Sequence, residues 1–130
     1  MPTIFSRIIA GEIPCHKIAE NEQYLAFLDI QPLVEGHVLV IPKVEVDYIF
    51  KLDDELLAGL MLFAKSLAPA IEKAVPCKRL GVSVIGLEVP HTHIHLIPIH
   101  EVGDMNFSKR KLNPSSDDLA DVAARIKANL

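Results

Sequence analysis

An α+β domain built on an antiparallel sheet is the fold class that the sequence predicts. Two observations predict it. Apolar runs with strand character follow one another directly, without a helix between each pair, and helical patterns stand at the start, middle and end of the chain. Length supplies the third: 130 residues make one domain, able to bury about two-thirds of its unfolded surface without a metal or disulfide staple.

The elements follow in order. Ile4, Phe5, Ile8 and Ile9 recur at helical spacing and stop at Gly11, which predicts a short helix over 4–10. Residues 15–20 and 23–29 read as strands joined by a turn at Asn21 and Glu22. Residues 37–41 form a near-continuous apolar run between Gly36 and Pro42, the pattern of a buried strand. The strongest helix covers 53–75, where Leu56, Leu60, Phe63, Ala64, Leu67, Ile71 and Val75 share one stripe. Asp53 is its expected N-cap, and Asp54 and Glu55 suit the positive end of the helix dipole. Pro69 is expected to kink or split it. Residues 81–86 and 93–99 read as two more strands, and 116–129 as a helix capped by Ser115 or Ser116. The whole of 1–130 is taken as one domain, with 104–130 as a C-terminal extension and helix.

Composition narrows the partners. Thirteen basic against 17 acidic residues give a net charge of -4, which disfavours binding to a nucleic acid polymer. No apolar stretch approaches the ~20 residues of a spanning helix, so no membrane partner is expected. The first residues lack the basic start and apolar run of a secretory signal. Cys15 and Cys77 then read as free thiols, and the expected location is cytoplasmic. A mean hydropathy of +0.29 is high for a small monomer and suggests surplus apolar surface at an interface.

Chemistry concentrates in the histidines. His91, His93 and His95 alternate, so on a strand all three would share a face, each ~6.5–7 Å from the next. Aligned imidazoles are costly to bury without partners, which makes a pure packing role improbable. Two functions fit the spacing equally. One is a metal site, since neutral imidazole is a common ligand. The other is covalent phosphoryl or nucleotidyl transfer with one histidine as nucleophile.

The flanks add a resemblance. His91-Thr92-His93-Ile94-His95-Leu96-Ile97 is similar to the signature of the histidine-triad (HIT) family, in which apolar residues separate the histidines; Thr92 alone departs. Ile4 to Pro14 resembles the family's opening helix, Leu25 to Ile30 its ribose-binding strand, and Gly36 to Lys43 its second signature. These blocks stand in the family's order over roughly 4–99, closest to the small Hint-like nucleotide-binding hydrolases.

That resemblance implies a five-stranded antiparallel sheet with two main helices, continued edge to edge across a homodimer. It makes His93 the nucleophile at the α-phosphate, and His37, His91 and His95 the residues that orient it or contact phosphate. Asp29 would bind the ribose hydroxyls, and Phe5, Ile8, Phe27, Ile30 and Leu39 would line the base pocket. The implied substrate is a purine mononucleotide adduct such as a nucleoside 5′-phosphoramidate, cleaved through a nucleotidyl-histidine. Imidazole suits the task, with an unperturbed pKa near 6.5. A backbone carbonyl would anchor its rear nitrogen, and a second, protonated histidine would assist the leaving group. No divalent cofactor is required on this reading. The alternatives are a nucleotide-binding regulatory module with little catalysis and a triple-histidine metal-dependent enzyme.

Departures from the family pattern also carry information. The loop from Gly86 to His91 is shorter than in Hint-like relatives and lacks their phosphate-contacting element. Val84 replaces a usual Asn. Thr3, Ser6 and Glu45 replace ligands of the structural zinc of many bacterial relatives, so that zinc is not expected. Lys43, His16, His100 and the run Lys109-Arg110-Lys111 are read as solvated, with a phosphate-facing rim across a dimer as the run's second reading.

Overall fold

The computed structural model describes residues 2–130. Helix α1 (Ile4–Ile9) leads into strands β1 (Lys17–Glu20), β2 (Tyr24–Leu28) and β3 (Val38–Pro42), then helix α2 (Asp54–Ala74), strands β4 (Arg79–Ser83) and β5 (Ile94–Ile99), and helix α3 (Ser116–Lys127). The strands form one antiparallel sheet in the order β1-β2-β3-β5-β4, the α+β architecture that the element order predicts.

Local chemistry explains the boundaries. Thr3, Asp53 and Ser115 cap the three helices, each side-chain oxygen accepting a backbone N–H from three residues on. Asn21 turns the β1–β2 hairpin by accepting from the amides of Gln23 and Tyr24. Two expectations need correction. Pro69 does not split α2, which runs unbroken for 21 residues. The proline and Lys65, whose carbonyl loses its partner, are both on the solvent side, so that carbonyl is not sealed in the core. Strand β4 lies at 79–83, not 81–86, because it pairs with Ile99 back to His95 and β5 offers it nothing further. Val84 and Ile85 leave the sheet exposed.

The sheet sorts side chains by parity. Ala26, Leu28, Val38, Val40, Ile94 and Leu96 join α2 and α3 in the main core. Leu25, Phe27, Leu39 and Ile41 face the other way, where α1 contributes Phe5 to a second apolar cluster. Asp29, His93 and His95 share this parity, so the register Leu39 to His95 brings them to one side.

Gly59 marks a tight contact on α2. A Cβ there would lie 2.1 Å from the Tyr24 hydroxyl, which donates to the Leu56 carbonyl. Tyr24 is buried and stacks on Phe63, so its ring has little room to retreat. Gly59→Ala should therefore destabilise by about 1–2 kcal/mol, overpacking and the lost hydrogen bond outweighing the helix propensity gained. Urea unfolding measures it; a more stable variant would contradict the contact.

Candidate active site

Backbone groups set the orientation of His37, His91 and His93, and His37 in turn sets that of His95. The N–H of Leu33 donates to His37 Nδ1 at 3.0 Å, so the neutral ring carries its proton on Nε2. That proton is donated to His95 Nδ1 at 2.9 Å, which leaves the proton of His95 on Nε2. His91 Nε2 donates to the Pro42 carbonyl at 2.9 Å, and its Nδ1 accepts from the Thr3 hydroxyl at 3.0 Å. His93 Nδ1 donates to the His91 carbonyl at 2.7 Å. In neutral His93 the Nε2 lone pair is therefore left bare and aimed away from the anchor.

The rings touch in sequence. His93 and His95 lie edge to face with centroids 4.9 Å apart, and His37 sits 5.1 Å from His95. Burial holds His37 and His95 neutral, with pKa values lowered to about 3 and about 4, and lowers that of His91 as well. The expected protonated helper is thus corrected: His95 offers a neutral Nε2–H. Asp29 lies beside them with Oδ2 3.7 Å from His37 Nε2, while its Oδ1 accepts from the Gln31 amide. Burial pushes its carboxyl upward.

His91 does not stand with the other two. Strand β5 begins only at Ile94, and a turn from Val89 to His91 carries the His91 ring under α1, fully buried against Phe5. It offers no ring atom to a ligand; its carbonyl orients His93. Phe5, Phe27 and Leu39 form the floor of the second cluster, Ile8 packs at its edge, and Phe5 meets His93 edge-on at 5.1 Å. Ile30 is 62% exposed and stands outside that cluster.

Two cavities flank His93. One of about 300 Å³ is lined by Asp29, His37, His93, His95, Phe107 and Lys111, among others. The other, of about 440 Å³, is lined by Tyr48, Phe50, Val84 and Leu87 among others, and Gly86, at φ +75°, turns the loop between them. Both volumes fall in the range of small-ligand sites. Phe107 and Lys111 were not legible as site residues. The basic run reads as solvated, yet Lys111 lines the cavity of its own chain. Lys43 pairs with Glu20 at 2.8 Å.

Metal binding does not fit either candidate set. At the positions of the relatives' zinc ligands, Ser6 Oγ and Thr3 N donate to Glu45 Oε1, and Thr3 Oγ1 engages Ser6 N and His91. Two hydroxyls in a closed hydrogen-bond cluster are not the Cys and His donors that zinc prefers. Asp29, His37 and His95 bring ligand atoms within 4.8 Å of one another. A metal at His37 Nε2 would displace the proton given to His95 and require a proton at Nδ1, against the Leu33 N–H.

A HIT domain model matches residues 10–102, including all four histidines of the cluster. The chain belongs to the HIT family. An uncharacterised HIT-like protein of Borreliella burgdorferi is 32% identical over 98% of this chain and 97% of its own. An adenosine 5′-monophosphoramidase of Saccharomyces cerevisiae is 42% identical over 73% of this chain and 61% of its own. Among solved structures, a HIT-like protein of Bartonella henselae, described as involved in cell-cycle regulation, superposes with a TM-score of 0.87 at 29% identity. It covers 98% of this chain and 96% of its own. The HIT match ends at Val102, so Phe107 and Lys111 lie beyond it.

Proposed function

We propose that this HIT protein is a nucleotide-binding hydrolase or transferase acting at the α-phosphate of a purine nucleoside 5′-phosphoramidate or a related adduct. One observation carries the reading: the His91 carbonyl holds His93 Nδ1–H, leaving the Nε2 lone pair for an in-line attack on phosphorus. The His93 Nε2–P bond forms as the bond to the leaving amine breaks, and the amine takes its proton from solvent. His95 Nε2–H donates to a phosphoryl oxygen as charge builds there. Water then attacks the nucleotidyl-His93, releasing mononucleotide and restoring the ring. Asp29 accepts from the ribose hydroxyls, and the second apolar cluster seats the base.

On this reading no divalent metal enters the reaction, and the protein works as a cytoplasmic homodimer. Val82, Val84 and Ile85 on and beyond edge strand β4, with Met61 and Leu62 on α2, are the exposed apolar side chains that a second copy would cover. The test is a panel of purine and pyrimidine nucleoside phosphoramidates, with and without chelator, on protein whose solution mass is also measured. Mononucleotide release that chelator leaves unchanged, from a species of two chains, is expected. No release across the panel would overturn the reading.

A further inference from the structure

The cavity beside His93 has a charge imbalance that its histidines do not correct. Its lining carries two carboxylates, Asp29 and Glu88, and Lys111 is the single lysine or arginine lining it among the described residues. His37 and His95 are hydrogen-bonded as neutral rings through the Leu33 amide. A phosphate entering this space faces two acidic side chains, and Lys111 is the one lysine or arginine on hand among the described residues to offset them. Desolvating an anion against uncompensated carboxylates is unfavourable.

Lys111 is held there by a strap, residues 106–112, fixed along its length. Upstream, Met105 closes on β4 so tightly that a Cβ on Gly81 would lie 2.6 Å from its Sδ. Asn106 Oδ1 accepts from both the amide and the hydroxyl of Ser108, turning the chain. Phe107 lays its ring edge-on to His95 at 4.9 Å and to His37 at 6.3 Å. Downstream, the Leu112 amide donates to the Pro32 carbonyl at 2.9 Å, three residues past Asp29. Lys111 forms no salt bridge among the described residues. Its charge is nonetheless felt across the cavity: it opposes the burial that raises the Asp29 pKa, and adds to the burial that lowers those of His37 and His95.

We propose that Lys111 is an anion-binding residue of this cavity, delivered in cis by the 106–112 strap, and that it takes the phosphate of the bound nucleotide. The proposal rests on the nucleotide reading above and deepens it, since the shortened Gly86–His91 loop leaves phosphate recognition to be supplied from elsewhere. Phe107 is a positioning residue in the same device, covering His95 and His37 from solvent.

Binding of AMP and of adenosine to the full chain, by calorimetry at low and high salt, separates the outcomes. Lys111→Met should weaken AMP about tenfold at low salt, leave adenosine unchanged and flatten the salt dependence of AMP binding. Lys111→Arg should recover most of the loss. Arg110→Met, an equal charge change on an exposed neighbour, should leave AMP affinity at the wild-type value. If Lys111→Met binds AMP as the wild type does, or loses AMP and adenosine alike, Lys111 does not bind the phosphate. If the wild type binds neither ligand, the nucleotide reading itself falls and takes this assignment with it.

Discussion

His93→Ala is expected to lower turnover by roughly 10⁴-fold or more while leaving the fold intact. The ring is the group whose Nε2 is free to form a bond to phosphorus; each nitrogen of His37 and His91 and the Nδ1 of His95 is already engaged. No neighbour can take over the covalent step, because doing so would break a buried hydrogen bond. The structural cost is small by comparison. The variant removes edge-on ring contacts to Phe5 and His95, each worth about 1 kcal/mol, and the hydrogen bond to the His91 carbonyl, while Phe5 keeps its other partners, Phe27 and His91. Initial rates on the phosphoramidate panel give the loss, and near-ultraviolet circular dichroism shows whether the fold survives. His93→Gly supplies an independent readout. Added imidazole should diffuse into the vacated space and restore part of the rate, which a merely structural role for His93 would not allow. With wild-type protein and a labelled adduct, digests prepared at alkaline pH, where the phosphorus–nitrogen bond survives, should carry the nucleotide on His93. Wild-type turnover in His93→Ala would sink the covalent mechanism.

The sheet and its helices were legible because their signals are local. Period-2 alternation places Leu25, Phe27 and Leu39 on one face, and a single stripe with an Asp cap defines α2. The site was legible only as residue types. Equal spacing suggested three equivalent imidazoles, but the strand starts at Ile94, so His91 turns under α1 and contributes a carbonyl. What fixes the tautomers is a backbone amide at Leu33 and carbonyls at Pro42 and His91, and backbone groups leave no trace in a residue pattern. Lys111 was missed for a different reason. A basic run after a polar turn has the composition of a solvated connector, and long-range contacts, Phe107 on His95 and the bond from Leu112 to Pro32, bring it over the sheet. Pro69 shows the reverse error, since a rule about helix interiors yields where the ring faces water.

Acid should destabilise this protein steeply, and the cause lies in the same histidine pair. His37 and His95 have pKa values lowered to about 3 and about 4 in the folded chain, against about 6.5 when unfolded. Between those limits the unfolded state binds more protons than the folded one, so stability rises with pH across the window. The two rings impose no cost above pH 6.5. As pH falls from 6.5 toward 3 their penalty grows, reaching on the order of 5 kcal/mol for the coupled pair. That is comparable with the whole stability of a small domain. Asp29 acts in the opposite sense, because burial raises its pKa and protonation relieves the folded state. It offsets only part of the loss, since two rings titrate against one carboxyl. Urea midpoints measured at pH 7, 6, 5 and 4 should therefore fall at each step. His37→Asn removes one titrating ring and the partner whose proton His95 accepts. Whatever it costs at pH 7, its loss of stability between pH 7 and pH 4 should be clearly smaller than that of the wild type. Parallel slopes in the two proteins would show that the buried imidazoles do not govern acid unfolding.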